Sequence, residues 1–174
     1  MTKKRTAAGP LLSSLPRSST CRTIALDLAT YRAGFAINAG EDVFYGEIKT
    51  GQRDPLPARL KQIYQDLIEL IKEYCPMYMV SEDQFVYKNP KTLKVLAAAQ
   101  GVAMLAAAQH QISFFTISPK TVKEMVAGTG KAKKEDIIAA VRRLFLLTEN
   151  LTDNEADALA ILYTFGKGKE LCMI

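Results

Sequence analysis

Three carboxylates from three distant parts of the chain stand beside residues that build a core. Asp27 lies inside the apolar run TIALDL, residues 23–28. Glu82 directly follows MYMVS, residues 77–81. Asp157 belongs to TDNEADALAI, residues 152–161, on the helix face that must also pack through Leu159, Ala160 and Leu162. Burying a carboxylate at an apolar strand costs several kcal/mol unless a positive charge offsets it. Taken singly, each acid reads first as a turn or cap residue. Taken jointly, they are the donor set of a divalent cation, since Mg²⁺ prefers a few carboxylate oxygens plus water to a full protein cage.

The acids of TDNEADALAI do not all share that role. Thr152 and Glu155 have the spacing of a capping box, in which the Glu closes the helix start and points away from a metal. Asp157, on the face that packs on the sheet, stays a candidate ligand, and Asp153 has the ordinary reading of a first-turn partner of the helix dipole.

The elements that must hold these acids are legible from periodicity. Residues 22–28, 34–38 and 42–49 read as strands. Pro55 opens a helix carried by Leu56, Leu60, Ile63, Leu67, Leu70 and Ile71, and Cys75-Pro76 stops it. Residues 77–81 are a short buried strand. A helix follows from Pro90 to about Gln109, then a strand over 112–117. Three helices complete the chain: Ser118-Pro119 to near Gly128, about 133–147, and Asp153 to about Phe165. Three strands followed by alternating helices and strands predict an α/β fold with a mixed sheet of five strands flanked by helices. The expected organisation is a disordered basic arm over residues 1–20 and one domain over 21–174.

Charge and composition bound the partners. The 174 residues carry a net charge of +5. The first 26 hold Lys3, Lys4, Arg5, Arg17 and Arg22 and no acid, so the remainder is balanced. Within that remainder, the segment from Lys88 to Arg143 holds ten basic residues against Glu124, Glu135 and Asp136. A neutral body with one basic segment and a separate acidic cluster suits a polyanion on one side and metal ions on the other, although scattered solvated lysines read the same way. The arm has three readings: a plain tail, a basic arm on nucleic acid, or an organelle transit segment. Apolar runs fall short of the roughly 20 residues of a membrane span. Cys21, Cys75 and Cys172 are odd in number and far apart, which suggests neither a disulfide framework nor a zinc site and points to a reducing, cytoplasmic setting. His110 reads as a helix-end residue.

The order and spacing of several stretches go further. They are Glu82-Asp83-Gln84-Phe85 with Lys88-Asn89-Pro90, Ala99-Gln100-Gly101-Val102-Ala103, Val122 to Gly130 (VKEMVAGTG) with Ala132 and Lys134, and Ala156-Asp157-Ala158-Leu159-Ala160-Ile161. From about Thr23 to Phe165 the chain resembles the RuvC family of Holliday-junction resolvases, which have the RNase H-like fold. The resemblance implies a homodimeric endonuclease that binds four-way DNA junctions and nicks two strands of like polarity, using Mg²⁺ or Mn²⁺. It implies Asp27, Glu82 and Asp157 as metal ligands and Phe85 as an aromatic working against bases at the junction centre. It implies Lys123 and Lys134 as DNA contacts, to which Lys88 and Lys131 are added from the same basic segment. Two ions about 3.5–4 Å apart suit an in-line displacement at phosphorus. A branch-migration helicase is a candidate partner. In the family the small-residue helix from Pro90 builds the two-fold interface, and a C2 axis presents identical sites to two related strands.

The chain departs from the family twice. The first motif, normally Asp-Pro-Gly, reads Asp27-Leu28-Ala29-Thr30. The family's further acid, three residues before the last one, is Asn154 here. An amide oxygen can bind Mg²⁺ but adds no charge, so Asp153 is a candidate substitute: positions i−3 and i−4 both lie near the face of Asp157. Competing readings are a broader nuclease of branched or flapped DNA, a junction-binding protein that does not cut, and a fragment of the actin-like kinase superfamily, disfavoured by the chain's shortness.

Overall fold

A computed structural model describes residues 1–7, 22–83 and 89–172. The strands are β1 (Thr2–Ala7), β2 (Thr23–Asp27), β3 (Arg32–Ala39), β4 (Asp42–Lys49), β5 (Tyr78–Glu82) and β6 (Ser113–Ile117). The helices are α1 (Leu56–Tyr74), α2 (Pro90–Gln109), α3 (Pro119–Ala127), α4 (Lys134–Leu144) and α5 (Asp153–Cys172). The strands form one sheet in the order β1-β4-β3-β2-β5-β6. The β2–β3, β3–β4 and β1–β4 pairs are antiparallel, and the β2–β5 and β5–β6 pairs parallel.

Alternation along the strands separates two cores. Ala25, Ala36, Val43, Tyr45 and Val80 face one way and pack under α3, α4 and α5. Ile24, Leu26, Phe35, Ile37, Ile48 and Met79 face the other way and pack under α1 and α2. The expected mixed α/β sheet is thus present, with one strand more than expected. The extra strand is β1, and it corrects the expectation of a disordered arm over its first part. Composition alone suggested disorder because the segment is rich in Ser, Pro, Lys and Arg and has weak periodicity. Its order comes from non-local partners: a full antiparallel register with β4, and ion pairs from Lys3 to Glu73, Lys4 to Glu155 and Arg5 to Asp42. Residues 8–21 lie outside the described residues.

Boundaries shift at two helices. α4 stops at Leu144, and α5 continues past Phe165 to Cys172. α2 corrects a second expectation, because by length and composition it is apolar enough to cross a membrane. In this fold Leu96, Ala99, Ala103, Ala106 and Ala107 turn one side of it into the protein. His110 caps its C-terminal end, as its position suggested.

Candidate active site

Strand register decides which acids meet. Asp27 is two residues from Ala25 and Glu82 two from Val80, so both point to the α5 side of the sheet. Asp27 pairs with Gly34, and Gly34 with Glu47. The parallel pairing of Leu26 with Ser81 brings Asp27 beside Glu82. One row, Glu47–Gly34–Asp27–Glu82, therefore crosses four strands at one end of the sheet, with about 4.8 Å between neighbouring strands.

α5 closes over this row. A Cβ on Gly34 would lie 2.0 Å from the carbonyl oxygen of Asn154, so only glycine lets the first turn of α5 lie on the sheet. One turn later the helix carries Asp157. The start of α5 is fixed by the expected capping box: the Thr152 amide donates to Glu155 Oε2 at 2.9 Å, and the Glu155 amide donates to Thr152 Oγ1 at 3.2 Å. Glu155 also takes the Lys4 ammonium at 2.9 Å and so faces β1.

The electrostatics of the three carboxylates are those of charge held at a cost. Burial, then the nearby Asp157 and Glu82 charges, push Asp27 up to about 7, with Lys134 opposing. Burial and Asp157 push Glu82 up to about 7, with Lys123 opposing. Asp157 is raised by burial and by Asp153, while Lys134 and Lys123 pull it down. Desolvation and like charge act in the same direction on a carboxylate, and a bound cation reverses both. The donor set is all hard oxygen and fits a divalent cation that keeps part of its water shell. Among the described residues no three His, Cys, Asp or Glu side chains already converge as a cage; the acids share one end of the sheet without enclosing a point.

The cations of the basic segment divide. Lys123 on α3 and Lys134 at the start of α4 both reach the carboxylates electrostatically. Lys134 donates to Asp153 Oδ2 at 2.9 Å, and that bond, with Asp157 and Asp27 nearby, holds its ammonium above the ordinary value. Lys131 is exposed on the loop between α3 and α4. Gly128 takes the left-handed conformation that ends α3, with φ of 75°. Phe85 and Lys88 lie outside the described residues.

Asp153 and Asn154 face different neighbours. Asp153 meets Lys134 and raises Asp157. Asn154 donates its side-chain amide to Glu47 Oε1 at 2.9 Å, beside the Thr152 hydroxyl at 3.0 Å on the same oxygen. Glu47 was not singled out from the sequence. Burial pushes its carboxyl up, but hydrogen bonds from Asn154, Thr152 and Lys49 outweigh it and leave the group below its ordinary value. The available signal was its period-two spacing from Val43 and Tyr45, which puts an acid on a core-facing side.

Residues 26–165 match the family described as crossover junction endodeoxyribonuclease RuvC. The crossover junction endodeoxyribonuclease RuvC of Chlamydia pneumoniae is 36% identical over 160 residues, covering 86% of this chain and 95% of the relative. That of Dehalococcoides mccartyi strain 195 is 37% identical over 146 residues, covering 80% and 88%. Among solved structures, T. thermophilus RuvC in complex with Holliday junction substrate superposes with a TM-score of 0.79 at 24% identity, covering 87% of this chain and 96% of the other. The yeast mitochondrial Holliday junction resolvase Ydc2 superposes with a TM-score of 0.60 at 14% identity, covering 94% and 85%. These two structures bear on the fold alone.

Proposed function

The chain belongs to the RuvC family of crossover junction endodeoxyribonucleases, and from that membership we propose that it resolves four-way DNA junctions by paired nicks, with Asp27, Glu82 and Asp157 as its metal-binding carboxylates. The family is one of metal-dependent nucleases. Mg²⁺ or Mn²⁺, two per site, is the assignment we favour for this chain. The observation that carries the reading is the placement of three half-buried carboxylates, two of them raised to about 7, at one end of one sheet face.

Bound divalent cations supply an activated water and stabilise the leaving 3′ oxygen. The chain's own residues do the rest. Asp27 and Glu82 are fixed by the β2–β5 ladder, and Asp157 by the seat of α5 on Gly34. Lys123 and Lys134 approach the same acids from α3 and α4, where they can grip the flanking phosphates and offset charge building at the scissile one. Asp153 holds the Lys134 ammonium and adds negative charge beside Asp157.

Pairing of nicks calls for two copies. The side of α2 turned away from the core is small and apolar: Ala97, Gly101 and Ala108 are exposed, with Met104 at 50% and Leu105 at 54%. A helix face of that kind allows close approach of a second α2 about a two-fold axis and supports a homodimer. Sedimentation at micromolar concentration showing monomer alone would count against it.

The deciding experiment is cleavage of a mobile four-way junction with Mg²⁺, mapping nicks on all four strands beside a flap and a plain duplex. Symmetric nicks on two strands of like polarity are expected. Equal or faster cutting of the flap would replace this reading with a broader branched-DNA nuclease, and binding without nicking would replace it with a junction-binding protein.

A further inference from the structure

The segment just past Asp27 carries a feature that the carboxylate chemistry does not use. Tyr31 is 46% exposed, yet its backbone is pinned: the Thr50 amide donates to the Tyr31 carbonyl at 3.1 Å, and the Thr50 hydroxyl to the Thr30 carbonyl at 2.6 Å. One face of the ring lies on the Arg59 guanidinium, with 4.1 Å from its central carbon to the ring centroid. Arg59 is only 8% exposed. It donates from Nη1 to the Thr30 hydroxyl at 2.7 Å and from Nε to the Asp54 carbonyl at 3.1 Å. Both acceptors are neutral, and among the described residues no carboxylate forms an ion pair with it. Burying a guanidinium among neutral acceptors is costly. Here it locks an exposed aromatic ring in place and leaves positive potential beneath it.

Beside the ring is a depression of about 460 Å³, lined by Ala29, Tyr31, Arg32, Gln52 and Asn154. Arg32 supplies a cation to the rim, and its cross-strand neighbour Lys49 is held by Glu47 at 3.4 Å. Gln52 and Asn154 bring side-chain amides. A rigid aromatic platform, a cationic rim and amide groups for hydrogen bonding are the parts that hold an unstacked nucleotide. The location fits as well. Tyr31 is four residues from Asp27, at most about 14 Å of chain, or the length of about four stacked nucleotides.

We propose that Tyr31, backed by Arg59, is a stacking platform for one unpaired base of the strand being cut, seated in this depression within about four nucleotides of the nick. The assignment rests on the junction-cutting reading above. It places a base contact on the segment between β2 and β3, where the resemblance placed none. Four-way junctions suit such a contact, because bases next to a branch unstack at less cost than those inside a duplex.

The test is a cycle between protein and DNA. Junctions carrying one abasic site at each position up to four nucleotides on either side of the mapped nick are cut by the wild-type chain, Tyr31→Leu and Tyr31→Phe. On the intact junction Tyr31→Leu is expected to lower kcat/KM about 5- to 100-fold, with an unchanged melting temperature, and Tyr31→Phe to restore most of the rate. At one position the abasic site should cost the wild type the same factor and cost Tyr31→Leu nothing more. Additive losses at every position, or a Tyr31→Leu variant that cuts like wild type, overturn the platform while leaving the nuclease reading intact. A wild-type chain that neither binds nor cuts any junction overturns both.

Discussion

Two groups of acids meet where α5 begins on one face of the sheet, and their fates are opposite. Asp27 and Glu82 are held above the ordinary carboxylate range by burial and by neighbouring carboxylates, and Asp157 is raised by burial and by Asp153. Glu47 stands in the same row, two strands from Asp27, and is held below it because Asn154, Thr152 and Lys49 outweigh its burial. Glu155, 2% exposed, is likewise supplied with the Thr152 amide and the Lys4 ammonium. Both groups gather at the first turns of α5, Asp157 and Glu155 on the helix and the others on the sheet beneath it. The difference is how much of the charge the protein itself balances. Where hydrogen bonds and lysines balance it, the acid serves the fold. Where they fall short, the acids keep charge that, in the proposed reading, a cation from outside would balance.

The sharpest way to break this division is to neutralise the first group. Asp27→Asn, Glu82→Gln and Asp157→Asn should each lower Mg²⁺-dependent cutting at least about 100-fold, the scale of removing one group that stabilises transition-state charge. Junction affinity should survive. Without metal, Asp27→Asn should also melt higher than wild type, by about 2–4 °C for each kcal/mol of repulsion and desolvation relieved. A gel-based nicking assay and a melting curve in chelator check both. Wild-type-like cutting would remove the altered residue from the site.

Glu47 should behave in the opposite way. Glu47→Ala strands the Asn154 amide and the Thr152 hydroxyl, at about 1–3 kcal/mol, so the melting temperature should fall with or without metal. It also loosens the seat of α5 and with it Asp157, so Mn²⁺ affinity, read by titration calorimetry, should weaken about 10- to 100-fold. Glu47→Gln keeps an oxygen that can accept both bonds and should recover much of the loss. A melting temperature that rises in Glu47→Ala would erase the distinction between the two groups.

What was legible in the sequence follows from how local each signal is. Asp27 and Glu82 announced themselves by standing at the ends of apolar runs, and the Thr152–Glu155 cap by a spacing of three. The mixed sheet followed from the order of strand-like and helix-like runs. Glu47 was hidden because its importance depends on the β3–β4 register, and an acid near the end of an alternating strand reads as solvent-facing. β1 was hidden for the same reason: its partners are Glu73, Asp42 and Glu155, far along the chain, and its basic composition alone suggests disorder. Tyr31 drew no notice, because its meaning depends on Arg59 in a different element.

Asp153 and Asn154 sit on the boundary between the two groups, and adjacent substitutions sharpen it. Asp153 is half-exposed and paired with Lys134, an interaction worth about 0–1 kcal/mol to stability. Asp153→Asn should leave the melting temperature nearly unchanged yet lower cutting by up to about tenfold, through Lys134 and the charge beside Asp157. Asn154→Ala should show the reverse balance, a lower melting temperature with the smaller loss of cutting per folded molecule. If Asn154→Ala cuts less well than Asp153→Asn at equal folding, the fourth position of the metal site belongs to Asn154.

The smallest effect is the dependence of metal-free stability on pH. Asp27 and Glu82 ionise near 3.8 and 4.5 in an ordinary setting and near 7 in the fold. Between those values the folded chain binds more protons than the unfolded one. Their stabilising contribution is therefore complete below about pH 4 and is lost as pH rises through about 7. Glu47 has the opposite sign: its contribution is present above its ordinary value and is lost as pH falls through the lowered one. In chelator, melting temperature should therefore rise by a few degrees from pH 8 to pH 5.5, a window in which Glu47 stays ionised. Asp27→Asn should flatten that slope and Glu47→Gln should leave it. Added Mg²⁺ should raise the melting temperature more at pH 8 than at pH 5.5, because only the ionised carboxylates attract it. A metal-free slope of the opposite sign would mean that these acids are already balanced within the fold.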